Sequence, residues 1–306
     1  MFRSFFISLS QNRKLRSWLE NSSAGRKISS RFVAGMTIED AIAACRRVNA
    51  LGMQVSLDSL GENVNSERQA YASAAVYHTL LEVIARERLD ANVSLKLTQM
   101  GIDLSPSLTE EIVCDLAGKA RKFGSFIRID MESTRYTQAT LDMVRRLNKV
   151  PSCTGAVGAV LQAYLYRTEK DADLLLREGI RIRLCKGAYK EDSTHAFQDK
   201  AETDRNYIRL MQRMVTSPVF CGIATHDEAI INATKQFVTD HGISRDAFEF
   251  QMLYGIRRDL QQRLVREGYR VRVYIPFGPE WYPYFMRRLA ERPANVLFLL
   301  KSLFRK

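Results

Sequence analysis

The sequence has no uninterrupted apolar run long enough to cross a bilayer, which argues against a membrane-spanning helix. Its opening stretch, MFRSFFISLSQNRKLRSWLE, lacks the clean apolar centre of a signal peptide. The five cysteines (Cys45, Cys114, Cys153, Cys185, Cys221) are scattered and form no CxxC pair. That spacing argues against a disulfide frame or zinc knuckle and for a reducing, cytoplasmic compartment. Four dispersed histidines give no metal cluster, so no metal is expected. Acidic residues are in deficit: 34 Asp and Glu against 46 Lys and Arg leave a net charge of +12. Such a surplus suits nucleic acid, an anionic membrane surface or an anionic cofactor. No RNP sequence or zinc finger is present, so no nucleic acid partner is expected. No GxGxxG fingerprint occurs with the strand and acidic residue it needs, which disfavours a Rossmann domain.

What is present is a substantial apolar fraction, 46% of 306 residues, enough for a large core. The length fits two domains or one α/β barrel of roughly 250 residues with additions. Residues 1–36 read as an amphipathic helix and a Gly/Ser linker, the helix packed on its own domain or touching a membrane surface. Thr37 with Asp40 three positions on signals a capped helix. From there strands and helices alternate. Strands are expected at 54–57, 92–97, 126–131, 157–162, 181–186, 220–225, 248–253 and 270–275. Helices are expected at 66–88, 107–123, 138–148, 169–178, 197–215, 228–241, 257–267 and from 285 to 291. About eight such units close a (βα)8, TIM-type barrel over 37–306, with an open doubly wound sheet as the competitor. In the last unit Val271, Val273 and Ile275 alternate with Arg270, Arg272 and Tyr274, the pattern of a strand with one face buried, and Pro276 and Gly278 are expected to end it.

Active sites of such barrels lie at the C-terminal strand ends. Those positions hold Asp58, Lys96, Asp130, Gln162, Arg183 with Lys186, His226, Leu253 with Tyr254, and Tyr274. Any one alone is an ordinary loop residue; together they favour a site for a charged ligand. Asp58 and Glu62 fit a general-acid pair, a metal site or a helix cap. Lys96 fits a snorkelling lysine, an ion pair, a Schiff base or a carboxylate contact. The stretch Arg183-Leu184-Cys185-Lys186-Gly187-Ala188-Tyr189 places basic residues before a Gly-Ala turn, a good anion cradle. A lone histidine such as His226 is more often structural than catalytic. Arg287 and Arg288 fit an anion clamp or a solvated basic face.

Taken in order, the motifs LDSLGE (57–62), SLKL (94–97), IDM (129–131), LQAY (161–164), RLCKGAY (183–189), ATH (224–226), FEFQMLYG (248–255) and Tyr274 with Arg287-Arg288-Leu289 resemble the proline dehydrogenase family, from about residue 37 to 300. The resemblance implies a distorted (βα)8 flavoprotein that binds FAD. It implies oxidation of L-proline to Δ1-pyrroline-5-carboxylate, the first step of proline breakdown to glutamate, with electrons passed to a membrane quinone. Arg287 and Arg288 would pair with the proline carboxylate, helped by Lys96, while Leu253 and Tyr274 pack on the pyrrolidine ring beside Asp130. Arg183 would lie near flavin N5; with Lys96 and Tyr274 it makes up the implied catalytic group. Asp130, Met131, Gln162, Arg183, Cys185, Lys186, Gly187, Ala188, Tyr189, Lys200, Thr203, Thr225, His226 and Glu291 match positions that hold FAD, and Glu62 matches a carboxylate that engages the paired arginines before substrate arrives. Tyr274 implies proline rather than hydroxyproline. Lys190, Gly222 and Asp227 depart from the family pattern, where tryptophan, glutamine and asparagine are common. The competing readings are a dehydrogenase of another cyclic amino acid, a Schiff-base lyase using Lys96 or Lys186, and a non-catalytic basic module for anionic lipid or nucleic acid.

Overall fold

The structure, a computed structural model, describes residues 30–282 and 284–286. Thr37 caps α1 (Ile38–Asn49) as expected: its hydroxyl accepts from Asp40 N at 3.2 Å and the Asp40 carboxylate accepts from Thr37 N at 3.2 Å. The alternation then runs β1 (Gln54–Ser59), α2 (Glu67–Glu87), β2 (Ala91–Leu95), α3 (Pro106–Lys122), β3 (Ile127–Ile129), α4 (Thr134–Lys149), β4 (Val157–Gln162), α5 (Thr168–Arg177) and β5 (Ile182–Cys185). It continues through α6 (Lys200–Val215), β6 (Cys221–Ala224), α7 (Glu228–Asp240), β7 (Phe248–Leu253), α8 (Arg258–Arg266) and β8 (Val271–Phe277). The eight strands close into a parallel barrel in chain order, β8 pairing back to β1.

Alternate strand residues face opposite sides of the barrel wall. Val55, Leu57, Val93, Leu95, Ile127 and Ile129 form the outer set and are fully buried against the helices. Truncating one of these, Leu95→Ala for example, is expected to cost ~2–5 kcal/mol. The inner set is polar. Asp58, Lys96, Arg183, Gln251 and Arg272 are buried although each is a polar or charged side chain, and contacts between β5, β1 and β2 through Arg183, Ser56 and Ser94 cross the barrel interior. On the same inner face lie Arg128, Glu249 and Arg272, each the second residue of its strand and two positions before Asp130, Gln251 and Tyr274 respectively. Arg128 Nη1 donates to Ala159 O at 3.1 Å and Arg181 O at 2.9 Å, while its Nε and Nη2 find no hydrogen-bond partner among the described residues.

Several boundaries differ from the sequence reading for local reasons. Strand β8 does not stop before Pro276. Pairing with β7 ends at Leu253↔Tyr274, so the missing N–H of Pro276 would have had no β7 acceptor, and pairing with β1 continues through Ser59↔Phe277. Helix α4 begins at Thr134, because the first-turn N–H of Thr134 is satisfied by Glu191 Oε1 at 2.8 Å from a distant loop. Helix α6 begins later than 197, at Lys200, where Asp199 caps Ala201 N at 3.0 Å. After β8, helical backbone starts at Trp281 rather than at 285.

Helix α1 packs on β8 and β1, the place that a helix following β8 fills in a regular barrel. The helical stretch after β8 packs elsewhere. Trp281, Tyr282, Tyr284, Phe285 and Met286 form an apolar cluster with Phe32, Val33 and Leu60 at the C-terminal rim of β8 and β1. Ala34 N donates to Pro276 O at 2.9 Å, Gly278 N to Gly35 O at 2.9 Å, and Leu60 N to Phe277 O at 2.8 Å, which ties residues 34–35 to that rim. The chain therefore approaches the open end of the barrel as it reaches Met286, the last described residue.

Candidate active site

The inner side chains meet in one network at the C-terminal end. Lys96 Nζ lies 3.3 Å from both oxygens of Asp58 and 3.9 Å from Asp130 Oδ2. Tyr274 Oη donates to Asp130 Oδ2 at 2.7 Å, and Arg183 Nη1 donates to Asp130 Oδ1 at 2.7 Å. Arg183 Nη2 reaches Ser94 Oγ at 3.1 Å and Ser56 Oγ at 3.4 Å, and its Nε donates to Gln251 Oε1. The Arg183 guanidinium stands 5.2 Å from the Tyr274 ring centre, within cation–π range. Asp130 thus accepts from two donors and faces a third, and Arg183 has all three nitrogens engaged.

Burial sets the protonation states. Burial alone would lower the Lys96 pKa, but the carboxylates of Asp58 and then Asp130 overcome it and keep the ammonium well above its ordinary value. Burial pushes the Asp58 carboxyl up, and Lys96 draws it back only in part. Burial, then the charges of Asp130 and Asp58, hold the Tyr274 phenol far above its usual range, so it acts as a neutral donor.

A second cluster lies beyond β5 and β6. Lys186 Nζ sits 2.5 Å from Asp204 Oδ1 and 2.8 Å from Asp227 Oδ2, and Lys200 contacts the same two carboxylates. Gly187 adopts φ +112°, and a Cβ there would overlap the Tyr164 ring, so the turn after Lys186 accepts no side chain. The turn and the two lysines form a cradle of backbone and cations of the kind that suits a phosphate chain.

Comparison with known proteins fits this geometry. A family model described as proline dehydrogenase matches residues 41–301. Proline dehydrogenase 2 of Bacillus subtilis is 41% identical over 308 residues, covering 99% of each chain. Proline dehydrogenase of Deinococcus radiodurans is 42% identical over 287 residues, 91% of this chain and 90% of that one. The chain belongs to the proline dehydrogenase family. The proline utilization A structure from Bdellovibrio bacteriovorus, inactivated by N-propargylglycine, superposes with a TM-score of 0.84 at 24% identity over 100% of this chain, and so shares the fold. This chain spans 37% of that longer protein.

Of the residues the family resemblance marks, Lys96, Asp130, Arg183 and Tyr274 come together in the mouth network. Gln162 and Met131 are buried, Gln162 Nε2 donating to Glu132 O at 3.0 Å. Lys186, Gly187 and Lys200 form the cradle, with Ala188 exposed and Tyr189 half-buried in the loop that follows. Cys185 is half-buried, its thiol toward Leu161 O at 3.5 Å. Thr203 donates to Asp199 O at 3.2 Å within its own helix, and Thr225 Oγ1 accepts from Asp227 N at 3.1 Å. His226 Nε2 accepts from Leu253 N at 2.9 Å, which puts the ring proton of the neutral form on Nδ1 and ties two candidate residues to each other. Arg287, Arg288 and Glu291, and with them the contact expected between Glu62 and the paired arginines, lie outside the described residues. Ser56, Ser94, Glu249 and Gln251 were not singled out as site residues. Their signal was the period-two polar pattern on β1, β2 and β7.

The residues fit a flavin dinucleotide. A planar ring system needs a wall of fixed donors, which the mouth network offers. A pyrophosphate needs a close-approach turn beside cations, which Gly187, Lys186 and Lys200 offer.

Proposed function

We propose that the protein oxidises L-proline to Δ1-pyrroline-5-carboxylate with bound FAD and passes the electrons to a membrane quinone. The observation that carries this reading is Arg183, whose guanidinium is held by Asp130, Gln251, Ser94 and Ser56 beside the Tyr274 ring. FAD, when bound, supplies a hydride acceptor at N5. The protein's part is to hold the substrate and to place fixed positive charge where negative charge develops. Lys96 keeps a permanent ammonium at the mouth for a carboxylate, and Arg287 and Arg288 complete that clamp. Leu253 and Tyr274 bound the pyrrolidine ring. No base is assigned for the amine proton, and the amine enters neutral. The net charge of +12 suits contact with an anionic membrane surface. No helix among the described residues is long and apolar enough to cross a membrane, so the contact proposed is peripheral.

A Schiff-base lyase needs a lysine amine of lowered pKa. Lys96 is held in the opposite direction, and Lys186 is bracketed by Asp204 and Asp227. The test is a visible absorption spectrum of the purified protein before and after anaerobic L-proline. A flavin band that bleaches is the expected result. A flavin that bleaches with 4-hydroxyproline but not with proline would move the assignment to another cyclic amino acid. Protein that takes up no FAD would overturn the reading.

A further inference from the structure

We infer that Gln251, anchored by Glu249 and lying over the bare backbone of Gly222, is a positioning residue that fixes the Arg183 guanidinium. The inference rests on the FAD reading of this site. An amide can present either end to a partner, and here only one orientation is satisfied. Glu249 is fully buried, and its Oε1 accepts from Gln251 Nε2 at 2.5 Å and from Arg272 Nε at 2.7 Å. Gln251 must therefore turn its oxygen toward Arg183 Nε. A flipped amide would set oxygen against oxygen and nitrogen against nitrogen.

Glu249 is itself fixed. Arg272, its ion-pair partner, donates from Nη1 to Val55 O at 2.8 Å and to Asn92 Oδ1 at 3.1 Å, anchoring the chain of contacts to β1 and β2. The space for Gln251 comes from β6. Gly222 is paired with both Arg183 and Glu249 in the sheet, and a Cβ at Gly222 would overlap the Gln251 amide nitrogen. The departure from the family pattern at Gly222 thus has a local purpose: the volume a side chain would take is filled by Gln251. Asp130 and the two serines hold only the far end of the guanidinium. Gln251 holds Nε, and contacts at both ends fix the plane.

The test uses FAD-loaded parent, the single variants Gln251→Met, Gly222→Ala and Arg183→Met, and the two double variants that combine Gln251→Met or Gly222→Ala with Arg183→Met. Gln251→Met keeps the volume and removes the acceptor; Gly222→Ala keeps every functional group and displaces the amide. Each single change is expected to lower the anaerobic bleaching rate about tenfold, the usual scale for a supporting contact, with KM for L-proline within about twofold. Each is also expected to shift the flavin midpoint potential. In the Arg183→Met background neither adds a further loss, because Gln251 acts through Arg183. An unchanged rate and potential in Gly222→Ala, or losses that simply add in the double variants, would overturn the inference. A lowered melting temperature with parental rate and potential would do the same, since it marks a purely structural glutamine. A parent that binds no flavin overturns the functional reading itself, a result distinct from a bleaching parent with unaffected variants.

Discussion

The two ends of the barrel interior carry similar chemistry to different ends. The floor holds Arg128, Glu249 and Arg272; the mouth holds Asp58, Lys96, Asp130 and Arg183, and all but Asp130 are buried. At the floor, Arg128 and Arg272 donate to the main-chain carbonyls of Ala159, Arg181 and Val55, acceptors that cannot rotate away. At the mouth, cations end on carboxylates and hydroxyls, which can exchange one partner for a ligand. Burial of charge therefore does not mark a site by itself. What marks it is charge gathered at the strand ends where the loops open, with side-chain partners a ligand can displace; the Arg272–Glu249 pair has side-chain partners too, but it lies at the closed floor.

Arg183→Met strikes the mouth hardest. It removes a fixed donor at the proposed reacting face, and turnover with L-proline is expected to fall by about 10²–10³ with FAD still bound. Lys96→Met leaves Asp58 buried without its cation. We expect kcat/KM to drop about 100-fold, mostly through KM, as the pH-independent ammonium for the carboxylate is lost. Gly187→Ala tests the cradle: with φ +112° and the Tyr164 ring in the way, FAD affinity is expected to weaken about tenfold by fluorescence titration. Arg128→Met tests the floor. Two of its nitrogens lack hydrogen-bond partners among the described residues and burial works against its charge, so activity should stay within about twofold and the melting temperature within about 5 °C of the parent. A tenfold loss of activity there would break the contrast between the two ends.

The smallest effect is a pH response. The Lys186 hydrogen bond holds the Asp227 carboxyl below its ordinary 3.8, so the folded protein binds that proton less tightly than the unfolded chain. Its stabilising share is full above pH 3.8 and is lost as pH falls through the lower folded value. Melting temperature against pH should therefore fall below pH 4 more steeply in the parent than in Lys186→Met. Parallel curves would contradict the assignment.

The barrel was legible because each strand repeats an apolar residue at every second position and each helix follows at regular distance. Less legible was which face the polar residues take. Arg272 falls on the polar side of a strand read as having one face buried, yet it is buried and reaches across the interior to Asn92, as Tyr274 reaches Asp130. A closed barrel has no solvent face on its inside, and closure is not a local property of any strand. The mouth residues were legible as strand-end positions, but their partners were not. Arg183 and Gln251 are 68 residues apart, and nothing in either neighbourhood points to the other. Likewise Pro276 looked like a stop, because the place where β7 runs out beside it is set by the sheet.

Both ends of the barrel go on one scale in a single measurement: the rate at which L-proline bleaches FAD-loaded protein without oxygen, in the parent, Arg128→Met and Arg183→Met. The account predicts that the parent and Arg128→Met bleach at closely similar rates and that Arg183→Met bleaches at least about 100-fold more slowly. An Arg183→Met protein that bleaches as fast as the parent would contradict it.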